Sequence, residues 1–168
     1  MRRSMWGGIN FGHCTKESDM IRALLFMLCA LLAAVPTVQA ENNPAPIGLV
    51  KTVTGDAAIL REGRRIAARP GIQLVQGDVL TAGASGSMGV ILRDDTLLSL
   101  GASSETHVEQ FAFEPVNQRF GLVVRVAHGM IVYFSGKIAK RAPGSVRIET
   151  PVATLGVRGT YLAARIVP

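Results

Sequence analysis

The sequence predicts an all-β domain of stacked short strands, two-layered and solenoid-like or a sandwich, following an N-terminal signal peptide. Three observations carry this expectation. Glycines at 55, 63, 71, 77, 83 and 86 leave room only for strands of about four to six residues between turns. Several segments alternate apolar and polar residues with a period of two. No window after the leader shows the 3.6-residue apolar periodicity of an amphipathic helix.

The leader comes first. Arg22 precedes an unbroken apolar run of 13 residues, Ala23 to Val35, and Val38-Gln39-Ala40 places small residues where a signal peptidase reads them. A membrane-spanning helix needs about 20 apolar residues, so this run reads as a cleaved signal peptide over residues 20–40. Residues 1–19 are polar, mixed in charge and aperiodic, and Met20 offers a start of its own; they read as an N-terminal extension from a mis-assigned start, with a long n-region as the alternative. Cys29 as a lipidation site is disfavoured by Leu28 before it, where a small residue is wanted. The product is expected to be periplasmic or secreted, cleaved near Ala40 and not transmembrane afterwards. Residues 41–46, ENNPAP, form a proline-bearing tether to a domain spanning 47–168.

Both cysteines, Cys14 and Cys29, precede the cleavage point, so no disulfide or thiolate metal site is available to the domain. Past Ala40 the chain carries 14 Lys and Arg against 10 Asp and Glu, scattered rather than clustered. Arg64-Arg65 and Lys140-Arg141 are the only adjacent cationic pairs, too little to argue for nucleic acid.

The strands follow in order. Glu62-Gly63 links Ala57–Arg61 to Arg64–Ala67 as a hairpin turn. Met88, Val90 and Leu92 share one face of a strand, and Asp94-Asp95 turns it into the segment Thr96 to Leu100. Phe120, Leu122, Val124 and Val126 form an inward row. Arg119, Val123 and Arg125 fall on the outward row, with Tyr133 beyond them, making Arg119, Arg125 and Tyr133 the candidate partner-facing residues. Val146 and Ile148 repeat the pattern.

No constellation of catalytic residues emerges, so no enzyme is expected, and no cofactor, metal or small-molecule substrate. His107-Val108-Glu109 matches the H-x-E of zinc deaminases but lacks the downstream cysteines that complete that site. His128, before Gly129, reads as a solvated turn residue. None of the serines sits in G-x-S-x-G. Asp94-Asp95 has no spaced set of further oxygen ligands for calcium.

The segment Thr150 to Thr160, TPVATLGVRGT, closes a series with Gly55-Asp56-Ala57, Gly77-Asp78-Val79-Leu80-Thr81, the hairpin VILRDDTLLSL and Gly129-Met130-Ile131. In this order the elements resemble the FecR-type domain family over Gly48 to Ile166, with Thr150, Pro151, Ala153, Gly156, Val157, Arg158, Gly159 and Thr160 matching its closing motif. Within that motif Pro151 suits a sheet edge or a strand start, and Gly156 and Gly159 are expected to permit bends where a side chain would clash. Arg158 between them reads as a clamp of the last turn or as a partner contact. The resemblance implies a periplasmic domain that, in iron-dicitrate sensors, relays transporter occupancy to a cytoplasmic anti-sigma segment. This sequence shows neither that segment nor a full-length spanning helix, and Asp94-Asp95-Thr96 replaces the family's Asp-Gly-Ser. The expected function is therefore a non-catalytic binding or scaffold domain for a protein or envelope polymer. The alternative is a component of cell-surface, iron-transport-type signalling that acts with a separate sensor or anti-sigma factor.

Overall fold

Alternating apolar segments joined by tight turns build twelve strands and one short helix in a computed structural model that describes residues 44–158 and 161–167. The signal peptide, the extension 1–19, the first tether residues, Gly159 and Thr160 lie outside the described residues.

The strands are β1 (Gly48–Thr54), β2 (Ala57–Arg61), β3 (Arg64–Ala67), β4 (Gln73–Leu74), β5 (Val79–Ala82), β6 (Ser87–Leu92), β7 (Leu97–Leu100), β8 (Ser104–Glu114), β9 (Arg119–Phe134), β10 (Val146–Glu149), β11 (Thr154–Gly156) and β12 (Tyr161–Ile166). The helix α1 spans Lys137–Arg141. The predicted all-β class holds. The strands join into a single curled sheet in the order β3-β2-β5-β8-β9-β7-β6-β1-β4.

The long strand β9 divides this sheet into two wings. Its first half pairs with β8 and, in parallel, with β10, which carries β11. Its second half pairs with β7 on one side and β12 on the other. We call these the β8 wing and the β7 wing. Inward rows of both wings meet in one core that includes Ile59, Leu80, Leu98, Leu122, Ile131 and Ile148.

The hairpins follow their turn chemistry. Glu62 and Gly63 both take positive φ, 50° and 77°, the left-handed pair that matches the twist of the flanking strands β2 and β3. Asp95 takes φ 67° in the β6–β7 turn, closed by a bond from the Leu92 N–H to the Thr96 carbonyl at 2.9 Å.

Four expectations are corrected. Strands are not all short: β8 has 11 residues and β9 has 16, because Gly121 and Gly129 are accommodated inside β9 instead of ending it. A helix exists, although its single turn of five residues is too short to show a periodicity. His128 lies within β9 and not in a turn. Tyr133 is buried at the centre of the core, not exposed. The reason is a bulge: Thr106 pairs with Val126 but Glu105 with His128, so Ala127 is an extra residue. One extra residue reverses which side chains point inward. Leu122, Val124 and Val126 face the core before it, Ile131 and Tyr133 after it.

Candidate functional site

Two buried carboxylates organise the parts of the fold that local pattern does not reach. Asp94 is fully buried behind the β6–β7 turn. Its Oδ1 accepts from the Thr96 N–H at 3.2 Å, and its Oδ2 accepts from the Thr96 hydroxyl at 2.7 Å and the Ile138 N–H at 3.2 Å. Asp94 thus ties the turn to the first residues of α1. Gly136 is required beside it, since a Cβ there would collide with the Asp94 carbonyl and the Thr96 nitrogen. The Tyr133 hydroxyl approaches this cluster but finds no hydrogen-bond partner among the described residues. Burial, reinforced by the nearby Asp94 charge and opposed by Thr96, pushes its pKa up to about 12. These groups are closed to solvent and serve the fold.

Asp78 is the second. It receives Arg61 and the Val75 N–H, the latter at 2.9 Å, and fixes the bend ahead of β5.

The partner-facing candidates separate. Arg119 is exposed at the tip of the β8–β9 hairpin, 3.6 Å from Glu114. Arg125 is exposed but bridges Glu109 at 3.1 Å and Glu149 at 3.2 Å. Tyr133 is removed from the surface by the bulge. His107 pairs with Glu105 at 3.0 Å, so His107 and Glu109 take different partners. Among the described residues no group of three His, Cys, Asp or Glu is placed to hold a metal ion.

The closing motif forms a tight turn and then re-enters the core. The Thr150 hydroxyl accepts from the Ala153 N–H at 3.0 Å, while the Thr150 N–H donates to the Ala153 carbonyl at 2.8 Å. Pro151 sits at the tip of this turn between β10 and β11. Val157 is buried and donates its N–H to the Val146 carbonyl at 3.1 Å; Arg158 is exposed. Gly156 does not relieve a clash as expected, since a Cβ there would meet nothing within 4 Å.

The feature with the chemistry of recognition is β12. It pairs with β9 along one edge, and among the described residues no strand pairs with its other edge. Two open, largely apolar clefts of about 400 Å³ flank its end and share Arg165, Ile166 and Val167. One runs to the Thr150–Val152 turn and Leu155, the other to Ala102, His128 and Met130. Periodicity marked neither, because β12 and the Thr150–Val152 turn are brought together only by their separate pairings with β9 and β10.

No helix among the described residues is long and apolar enough to cross a membrane. No curated protein and no solved structure matches the chain. The FecR protein family model matches residues 78–166, from the buried Asp78 through β12. Its span covers three of the five motif elements whole and a fourth from Asp78 onward, leaving Gly77 and the Gly55-Asp56-Ala57 opening ahead of it. The match takes in more than half of the sequence, and the chain belongs to the FecR protein family.

Proposed function

We propose that this chain is an exported, non-catalytic binding domain that recognises a protein or envelope component through the free edge of β12. The carrying observation is that open edge, flanked by two apolar clefts. An exposed edge presents unpaired N–H and C=O groups that an extended segment can satisfy as an added strand, while clefts beside it select side chains. The titratable groups lining the clefts are His128 and Arg165, which suits recognition better than acid–base chemistry. Processing near Ala40 would release the domain on the tether from Glu41 to Pro46.

A photo-reactive residue at Ala163 on β12, compared with one at Arg64 on β3, tests this in intact cell envelopes. Cross-links to one defined species from Ala163 and not from Arg64 are expected. Equal or absent labelling from both positions overturns the edge as the recognition element. Mass spectrometry of the exported product should begin at Glu41, and finding Trp6 in it refutes processing.

Family membership favours a second reading, a part in transmembrane signalling alongside a separately encoded sensor. Deleting the gene should then alter transcripts of neighbouring transporter genes, whereas an unchanged transcript profile leaves only the binding role.

A further inference from the structure

The outer face of the β7 wing carries a cross-strand row assembled from five distant segments. Tyr161 pairs with Phe134, Phe134 with Leu97, Leu97 with Ile91, and Ile91 with Leu49. With strands about 4.8 Å apart, the row runs about 19 Å across the sheet. Tyr161 is 58% exposed, Phe134 43% and Leu49 40%, and the rings of Tyr161 and Phe134 meet in a tilted contact with centroids 5.0 Å apart. The core does not need this row, because the alternate residues Val50, Val90, Leu98, Tyr133 and Ile131 already fill it.

Acidic residues are absent from the strands that build the same face. The strands of the β7 wing contain no Asp or Glu, whereas they carry Lys51 and Arg165, both exposed. Arg93, next outward after Ile91, is exposed as well. The bordering Asp95 is paired with Lys137 at 2.8 Å. All four strand glutamates, Glu105, Glu109, Glu114 and Glu149, lie in the β8 wing.

We infer that the β7 wing docks through this face on an anionic lipid bilayer. An apolar row with a phenol at one end suits the interfacial region, where amphipathic rings settle at headgroup depth. Lys51, Arg93 and Arg165 have long stems that let their charges reach lipid phosphates while the row sinks. The β8-wing strands carry six arginines beside their four glutamates, so the apolar row, and not net charge, selects the face that meets the bilayer. A second copy of the chain fits poorly: face-to-face pairing would oppose cations with no acid between them. A soluble polyanion would satisfy the cations and leave the apolar row in water. The inference goes beyond edge recognition by β12 and is independent of it, since a bilayer offers no strand.

The test uses the exported product of a gene carrying Trp6→Phe and Tyr161→Trp, so that the single indole reports on this face and the apolar run Ala23 to Val35 is removed with the leader. Phosphatidylcholine vesicles containing phosphatidylglycerol should shift its emission to the blue, and phosphatidylcholine alone or high salt should not. Replacing Lys51 and Arg165 together by Glu should weaken binding by about tenfold or more, each cation near an anionic surface contributing about one kcal/mol. Both positions are exposed, and an unchanged circular-dichroism melt establishes that the variant folds. Vesicle binding without an indole shift, a shift equal on neutral vesicles, or a shift that follows protein concentration without lipid each overturns the inference. Ala163 stands between Tyr161 and Arg165 on the same face, so the two readings separate there: labelling of lipid alone supports docking and overturns edge recognition, whereas labelling of one protein without an indole shift on vesicles does the reverse.

Discussion

Arg61 on β2 grips Asp78 ahead of β5 with two parallel bonds, Nε to Oδ1 and Nη2 to Oδ2, both 2.8 Å long. The same Nη2 also donates to the Gln73 carbonyl at 2.8 Å. Asp78 is fully buried, and the hydrogen bonds that Arg61 donates to its carboxylate raise the Arg61 pKa above the ordinary guanidinium value. Asp78 is the first residue of the family match, while Arg61 lies outside it. The folded domain therefore reaches back beyond the matched region, and β2 belongs to its structural unit.

Removing Arg61 strands a carboxylate away from water. Arg61→Met should lower unfolding stability by about 3 kcal/mol, the usual cost of breaking one side of a buried pair. Arg61→Met with Asp78→Asn should cost less than the sum of the single changes, because the double variant holds no unpaired charge at the site. Urea titrations of the four proteins measure the coupling; strict additivity would mean that the pair is not a unit.

Asp94 holds the β6–β7 turn and α1 together through three accepted bonds. Asp94→Ala leaves those donors buried and unsatisfied, and should destabilise by about 2–4 kcal/mol. Hydrogen exchange should show the Ile138 amide losing protection first. Retained protection there would show that α1 does not depend on the carboxylate.

The Tyr133 hydroxyl has no hydrogen-bond partner among the described residues, so Tyr133→Phe should be neutral or stabilising by up to about 1 kcal/mol at neutral pH. The alkaline behaviour has a defined sign. Below the ordinary tyrosine value of 10.0 the phenol is neutral in both folded and unfolded chains. From there to about 12 it ionises only in the unfolded chain, so stability falls across that window. Tyr133→Phe should be spared this part of the loss in denaturation curves at stepped pH.

Two glycines with positive φ make a controlled comparison. Gly129 has φ 95°, and a Cβ there would collide with the Ser104 backbone; Gly63 has φ 77° and open space around it. Gly63→Ala should cost about 1–2 kcal/mol, from left-handed strain alone. Gly129→Ala should cost more and disturb the crossing of β9 between wings. Equal melting shifts would mean that the Ser104 backbone moves aside freely.

Much of the fold was legible along the chain. Period-two alternation placed Met88, Val90, Leu92, Leu122, Val124, Val126, Val146 and Ile148 in the core. Glu62-Gly63 fixed the β2–β3 hairpin because consecutive left-handed residues close a two-residue turn with the strands' own twist. The ordered motifs pointed to the family. Each of these signals is local, and local sterics are written in adjacent residues.

What tertiary structure decided was phase and register. Alternation tells which residues share a face only while a ladder is uninterrupted, and the extra residue at Ala127 sent Tyr133 inward against the pattern. Nothing near Asp78 names Arg61 as its partner, and nothing near Leu49 foretells that Ile91, Leu97, Phe134 and Tyr161 will stand level with it. Such alignments come from pairing between strands far apart in sequence, where burying the opposite row sets the register and the outward row follows.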